Sequence, residues 1–249
     1  MISYSIPSSF NMKRALFIQP HPDDNEIGAG ATIAKLIADG IEVHYLTVTN
    51  GESGSYNVTL STQEIIEIRR KEQLKAGHLL GVKQFHWLNF LDGHLFDTED
   101  LRAQMMKVVR QVNPDIIFTV DPWLPYEAHI DHSVTGRVAS FVARTCGNPH
   151  FYPEQLTEGE RPELKAIAYY TTHRPNTYIN VDDFWELKLS AIQAHNSQFS
   201  GDHLDFLKAY FTQKAIQMAA KAPSPCQFAE GFKILSPLML HSNVDALNM

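Results

Sequence analysis

The stretch RALFIQPHPDDNEIGAGATIAKLIADGIEVHYLTVT, residues 14–49, carries the pattern that decides the fold. It opens on a short apolar run at 14–19 and closes on a β-branched apolar run at 41–49, and each run predicts a buried strand. Between them, 28–40 has apolar residues at helical spacing and ends on Gly40, a residue type that commonly follows the last turn of a helix. A strand, a helix and a strand in this order predict a βαβ unit with parallel strands.

The same alternation continues along the chain. Residues 61–64, STQE, have the Ser-x-x-Glu spacing of a capping box, and the helix that they open is predicted to end near Gly81. We therefore predict an α/β fold, doubly wound, with a mostly parallel sheet and helices on both faces. The further predicted strands lie at 83–90, 115–121, 165–171, 176–181 and 228–235, and the further predicted helices at 97–112, 182–195 and 203–221.

Length and the distribution of Pro and Gly predict one domain over residues 1–249. A chain of 249 residues is long enough for one large core. The Pro- and Gly-rich segment 146–163 is interpreted as an irregular insertion rather than a linker, because the chain that follows it is short for a second domain.

Composition and charge exclude several classes of protein. The net charge is −7 with no long Lys/Arg block, which argues against a nucleic-acid partner. The two cysteines form no CxxC, and no apolar run approaches the ~18–20 residues of a membrane helix. The N-terminus lacks the basic and apolar regions of a signal peptide. We expect a cytoplasmic enzyme with a small-molecule substrate and no membrane partner.

Two clusters of His and Asp follow two of the predicted strands. His21, Asp23 and Asp24 come just after the strand at 14–19, and AHIDHS at 128–133 is predicted to lie in the loop after the strand at 115–121. Strands one and four are commonly neighbours in doubly wound sheets, and ligands bind outside their carboxyl ends, where the strand order reverses. The two clusters should therefore converge on one point.

The chemistry of these residues predicts a catalytic metal site. Two imidazoles and a carboxylate, from His21, Asp24 and His132, suit Zn²⁺ or another divalent transition metal such as Fe²⁺. Asp23, beside them, could act as the general base towards water.

The second cluster contributes two further candidates. His129, three residues before His132, could stabilise an oxyanion and protonate a leaving amine. Asp131 could orient one of the metal-binding histidines through its second ring nitrogen.

Each motif alone has a plainer interpretation. HPDD is more often a turn with an Asp helix cap, and an isolated HxxH is often a pair of surface histidines. GAGAT at 28–32 follows a strand as a dinucleotide fingerprint does, but Ile33 replaces the third glycine. We interpret these glycines as allowing close helix–sheet packing, and keep a non-catalytic sugar- or nucleotide-binding protein as the less favoured alternative.

PHPDDNEIGAGATIAKL, TNGESGS and AHIDH together resemble the PIG-L/LmbE-like deacetylases. The resemblance implies a single Rossmann-like, three-layer domain, one catalytic zinc and a cytoplasmic enzyme. It also implies removal of an N-acyl group, typically acetyl, from an N-acetylglucosamine-type substrate, and a homo-oligomer, trimeric or hexameric. An amidase acting on a larger thiol- or sugar-conjugate amide is the alternative with the same chemistry.

The resemblance also assigns residues. It makes His21, Asp24 and His132 the metal ligands, Asp23 the general base and His129 the oxyanion stabiliser or general acid. It further implies that Glu26 supports the metal loop and that Arg69 and Asp92 lie near the sugar. Some relatives carry a mobile tyrosine two residues before the first histidine of the second motif, where this chain has Glu127.

Overall fold

The computed structural model describes residues 12–156 and 162–248. Within them, seven strands form one sheet in the order β3-β2-β1-β4-β5-β7-β6. The strands are β1 Arg14–Gln19, β2 Glu42–Thr49, β3 Gln84–Phe90, β4 Ile116–Val120, β5 Ala166–Tyr170, β6 Thr177–Asn180 and β7 Ala229–Leu235. The helices are α1 Asp24–Ala38, α2 Thr62–Leu80, α3 Glu99–Val112, α4 Ile130–Thr145, α5 Trp185–Gln193 and α6 Gly201–Ala219.

Pairing of the strands confirms the doubly wound α/β prediction. β1 lies between β2 and β4 and is parallel to both, and β3 and β5 extend the parallel part outward. β7 is antiparallel to β5 and to β6. The order therefore reverses between β1 and β4, which creates a crevice at the carboxyl ends of these two strands.

Side chains alternate between the two faces of the sheet, as expected of buried strands. In β1, Ala15 and Phe17 pack in one core with residues of α1, α2 and α5. Leu16 and Ile18 pack in a second core with residues of α3 and α4. Helices cover both faces of the sheet, so the central strands β4 and β5 are buried at every position, whereas the edge strand β3 is only partly buried.

Local sequence signals explain where the helices begin and end. The Ser61 side chain accepts a hydrogen bond from the Glu64 amide, and the Glu64 carboxylate accepts one from the Ser61 amide, so the predicted capping box is present. Gly81 follows α2 with φ 96°, a conformation that glycine adopts at little cost.

The prediction for residues 128–133 was wrong in one respect. They do not all lie in a loop, because α4 begins at Ile130 and places Asp131 and His132 on its first turn. No helix was predicted over 130–145.

The insertion expected at 146–163 is described at 146–156 and 162–163, and residues 157–161 lie outside the described residues. Arg110 donates hydrogen bonds to four backbone carbonyls of its first part.

Helix α1 is broken near its start. Ala29 has φ −150° and ψ 16°, so the turn that begins at Asp24 is separated from the rest of the helix. Lys188 and Glu230 form a buried ion pair, and both side chains hydrogen-bond to backbone groups of α1 near Ala29. Glu230 accepts the amide of Thr32 at 2.7 Å, and Lys188 donates to the carbonyl of Ile27 at 2.7 Å, so polar groups freed by the break keep partners.

The glycines of GAGAT allow the close packing expected from the sequence. A Cβ on Gly28 would lie 2.1 Å from the Tyr170 ring, which is inside any normal contact. A Cβ on Gly30 would lie 3.1 Å from Cγ of Lys188. The glycines therefore bring α1 against the sheet and against α5.

Gly28→Ala is expected to lower the free energy of unfolding by about 1–3 kcal/mol, because the added methyl overpacks the core against Tyr170. Urea unfolding followed by circular dichroism measures the change. Gly30→Ala is the matched control in the same helix and should cost less, since the Lys188 methylene that it meets can shift. Equal stability of Gly28→Ala and the unsubstituted protein would contradict this packing.

No helix in the described part of the chain is long and apolar enough to cross a membrane.

Candidate metal centre and active site

The two predicted clusters meet at the carboxyl edge of the sheet. His21 follows β1, and His129 and His132 lie at the start of α4, directly after the connection from β4. The ring centroid of His21 is 4.5 Å from that of His129 and 5.3 Å from that of His132. Ligand nitrogens of these three histidines lie within 4.8 Å of one another. The juxtaposition of β1 and β4 thus brings together residues about 110 positions apart in the sequence.

Asp24 joins the two histidines that the sequence predicts as metal ligands. Its Oδ2 lies 3.3 Å from Nδ1 of His21, and its Oδ1 lies 3.5 Å from Nε2 of His132. Two imidazole nitrogens on either side of a carboxylate offer the nitrogen and oxygen ligands that a transition metal such as zinc binds.

The charged groups around Asp24 and His21 shift the pKa values of both side chains. Burial alone would raise the pKa of Asp24, but His132 and His21 hold it well below its usual range. Burial would lower the pKa of His21, but its hydrogen bonds to Asp131, Asp24 and Asp92 raise it above its usual value. A carboxylate kept ionised in a buried pocket is suited to binding a cation.

The second nitrogen of His21 faces another carboxylate. Nε2 of His21 lies 3.0 Å from Oδ2 of Asp131, whose oxygens also accept the backbone amides of Gly93 and Leu95 at 2.7 Å and 3.1 Å. Asp131 is fully buried and fixed by these bonds. It orients the ring of His21, which leaves Nδ1 for the side where Asp24 lies.

Asp23 adjoins the metal centre in an unusual backbone conformation. It precedes α1 at the cap position with φ 115°, but its side chain makes no cap hydrogen bond in the described structure. The amide of Asp23 instead donates to Oε1 of Gln73 at 2.8 Å, and its Oδ2 accepts a 3.1 Å hydrogen bond from Arg69. The plainer interpretation of HPDD, in which an aspartate side chain caps the helix, therefore does not describe Asp23.

The electrostatic setting of Asp23 suits a group that exchanges protons. Burial raises its pKa to about 6, the positive charge of Arg69 opposes this shift, and the neighbouring Asp24 adds to it. A carboxyl group whose pKa approaches neutrality is a more effective general base than an ordinary aspartate.

Arg69 and Asp92 lie beneath the centre rather than at an open surface. Arg69 donates to the carbonyls of Pro22 and Gly51 as well as to Asp23. Asp92 has Oδ1 3.1 Å from Nε2 of His21 and Oδ2 3.6 Å from Nη1 of Arg69. Both side chains are engaged with groups of the protein itself. Their contact with a sugar stays a prediction.

His129 occupies the exposed side of the cluster. It precedes α4 as its cap residue, without a cap hydrogen bond from its side chain in the described structure. Partial burial, together with the charges of His21 and His132, lowers its pKa. A histidine at the mouth of the site, beside the predicted metal ligands, can reach a bound substrate.

Glu26 lies two residues after Asp24 in a buried network whose other members the sequence analysis did not assign to the site. Gln73 donates to both oxygens of the fully buried Glu26, at 3.0 Å and 3.1 Å, and Nε2 of His195 lies 3.3 Å from Oε2. Gln73 stands four residues after Arg69, on the same face of α2, and that spacing was the available signal. His195 lies two residues beyond α5, which packs on α1 and α2.

The family model for PIG-L, described as GlcNAc-PI de-N-acetylase, matches residues 16–143. A diacetylchitobiose deacetylase of Thermococcus kodakarensis is 36% identical over 96% of this chain and 90% of its own length. The chain belongs to the PIG-L family. The resemblance inferred from PHPDD and AHIDH is thereby confirmed.

Other PIG-L relatives extend the likeness beyond the motifs. The crystal structure of N,N'-diacetylchitobiose deacetylase from Pyrococcus horikoshii, 38% identical, superposes with a TM-score of 0.88 and covers 94% of this chain and 88% of its own. A probable N-acetyl-α-D-glucosaminyl L-malate deacetylase 2 of Bacillus anthracis is 29% identical over 80% of this chain and 88% of its own. The shared fold therefore includes β5–β7 and α5, which lie outside the family match at 16–143.

Proposed function

We propose that this PIG-L protein is a metal-dependent deacetylase that removes an acetyl group from an N-acetylglucosamine-type amino sugar. The observation that carries the proposal is that the Asp24 carboxylate lies between Nδ1 of His21 and Nε2 of His132, with Asp23 next to it in the chain. The relatives named as deacetylases of diacetylchitobiose and of a glucosaminyl malate match 96% and 80% of this chain and support this substrate class.

His21, Asp24 and His132 would hold the metal, for which zinc is the first candidate and Fe²⁺ the second. Three protein ligands are typical of catalytic zinc sites, which keep a position for water or substrate. When bound, the ion supplies Lewis acidity, which lowers the pKa of water towards about 7 and polarises a carbonyl oxygen.

Asp23 and His129 would carry out the proton transfer and the hydrogen bonding of the reaction. Asp23 takes a proton from the attacking water, whose oxygen bonds to the acetyl carbon. His129 donates a hydrogen bond to the oxyanion that develops on the carbonyl oxygen. The carbon–nitrogen bond then breaks, and Asp23 or His129 returns the proton to the leaving nitrogen. The products are acetate and a free amino sugar.

Arg69 and Gln73 keep Asp23 in place for this role. Both lie on α2, and their hydrogen bonds to the side chain and the amide of Asp23 hold a backbone conformation that is costly for a residue other than glycine. This proposal gives Arg69 a positioning role, in addition to the sugar contact that the family resemblance implies.

Acetate release tests the proposed function directly. Purified protein is expected to release acetate and a free amine from N-acetylglucosamine or from N,N'-diacetylchitobiose, to lose this activity on chelation, and to regain it with added Zn²⁺. Substrates with a longer acyl chain, and a thiol-conjugate amide, serve as comparisons. Faster cleavage of these would favour the amidase alternative, and metal-loaded protein that releases no acid from any of them would contradict both. A cytoplasmic location and a homo-oligomeric state stay predictions.

A further inference from the structure

Glu127 contacts both histidines of the second motif. It lies on the connection between β4 and α4, two residues before His129. Its Oε1 accepts the backbone amide of His129 at 2.8 Å, and its Oε2 lies 3.2 Å from Nδ1 of His132. The Glu127 carboxylate therefore contacts both the backbone at His129, where α4 begins, and the ring of His132 on the first turn of α4.

The contact with His132 falls on the nitrogen that faces away from the metal centre. The other nitrogen, Nε2, is the one that lies 3.5 Å from Asp24. The carboxylate oxygen of Glu127 lies nearer to Nδ1 than that of Asp24 lies to Nε2, at 3.2 Å against 3.5 Å, and its negative charge favours the tautomer with the proton on Nδ1. Nε2 then keeps its lone pair on the side of Asp24, as a metal ligand requires.

Asp131 makes the corresponding contact with His21. His21 and His132 thus each have Asp24 near one nitrogen and further negative charge near the other: Asp131 and Asp92 at His21, and Glu127 at His132. Asp131 and Glu127 differ in setting, since Asp131 is fully buried whereas the side chain of Glu127 is 20% exposed. Glu127 can therefore be replaced with less disturbance to the core than Asp131.

The backbone beside Glu127 is held in a costly conformation. Tyr126 has φ 66°, in the left-handed region, which is unfavourable for a residue with a side chain. The Tyr126 side chain is fully exposed, so packing of that side chain does not offset the cost. The contacts of the Glu127 carboxylate with the His129 amide and with His132 hold the turn at Tyr126 against the start of α4.

We propose that Glu127 is a positioning residue that sets the ring orientation and the tautomer of His132, and thereby the affinity of the site for its metal. The inference rests on the proposed function, since it takes His132 as a ligand. Glu127 itself is not a ligand in this arrangement, because its carboxylate lies at Nδ1, across the ring from Nε2. Loss of such an outer partner commonly lowers metal affinity by about 10–100-fold.

Three variants separate positioning from simple loss of negative charge. Glu127→Ala removes both contacts and is expected to lower Zn²⁺ affinity of the metal-free protein by about 10–100-fold. Glu127→Asp keeps the charge but is one methylene shorter, and it should lose nearly as much. Glu127→Gln keeps the length and one acceptor oxygen, and its affinity should lie between those of Glu127→Ala and the unsubstituted protein. Glu67→Ala, on the exposed face of α2, is the control for a lost surface charge and should bind normally.

Competition with a chromophoric chelator measures the Zn²⁺ affinity, and the imidazole ¹⁵N signals of the metal-free protein report the tautomer. The His132 signals, assigned by their loss in His132→Gln, should show a proton on Nδ1 in the unsubstituted protein and a mixture of tautomers in Glu127→Ala. Affinities that follow charge alone, with Glu127→Asp normal and Glu127→Gln equal to Glu127→Ala, would overturn the proposal. So would unchanged ¹⁵N signals in Glu127→Ala.

Failure of the inference can be told apart from failure of the proposed function. Unsubstituted protein that neither binds Zn²⁺ nor releases acetate contradicts the function. Unsubstituted protein that does both, with Glu127 variants that bind Zn²⁺ equally well, contradicts only the role of Glu127.

Discussion

Asp23→Asn is expected to retain one metal ion per chain and to lower kcat for deacetylation by about 10²–10⁴-fold, the range that general-base catalysis contributes. An amide has no basic oxygen to take the proton of the attacking water, so proton transfer fails while the shape of the site is kept. Asparagine also tolerates positive φ better than most residues, and its carbonyl can still accept the hydrogen bond from Arg69. The fold and the metal site should therefore survive.

Acetate release and metal content, measured on the same preparation, check this prediction. Asp39→Asn, an identical change at the exposed end of α1, is the matched control and should keep full activity. Full turnover in Asp23→Asn would show that another group takes the proton. Loss of the metal from this variant would show instead that Asp23 helps to bind the ion.

His132→Ala is expected to lower Zn²⁺ affinity by about 100-fold or more, beyond the usual effect of losing an outer partner, because a ligand itself is removed. The dialysed protein should contain little metal and release no acetate. Elemental analysis after dialysis gives the metal content, and His150→Ala, at an exposed position, is the control.

Retention of one metal ion per chain by His132→Ala would contradict the set His21, Asp24 and His132. A second set of donors overlaps with it in the described structure, in which ligand atoms of His21, Asp92, His129 and Asp131 lie within 4.8 Å of one another. Metal bound by that second set would survive the loss of His132. The experiment therefore distinguishes the two sets as well as testing the ligand.

The central part of the fold could be predicted from sequence because its signals are local. The apolar run at 14–19 is β1 to the residue, and the Ser61–Glu64 spacing marks the start of α2. Helix α4 was missed because its sequence is a poor helix former by itself, with several β-branched residues and Gly136. A Cβ on Gly136 would lie 2.7 Å from the Val120 carbonyl, so tertiary packing explains a residue that helix propensity disfavours.

The candidate site also contains some residues that could be predicted from the sequence and others that could not. His21, Asp23, Asp24 and the histidines of α4 could be named because their types and spacing carry chemistry by themselves. Gln73 and His195 could not, because their roles depend on contacts with Glu26 across 47 and 169 positions of sequence. The spacing of four residues from Arg69 places Gln73 on the same face of α2, but no local pattern indicates that this face, or the end of α5, will meet a residue of the PHPDDNE segment.

The break in α1 connects the catalytic loop to residues that are synthesised long after it. Every candidate catalytic and metal-binding residue lies between 21 and 132, yet the polar groups freed at Ala29 are satisfied by Lys188 and Glu230. A ribosome releases the N-terminal residues first, so a nascent chain carries the complete set of catalytic side chains well before these two partners emerge. We therefore expect the deacetylase centre to reach its final form only after Lys188 and Glu230 have both left the ribosome.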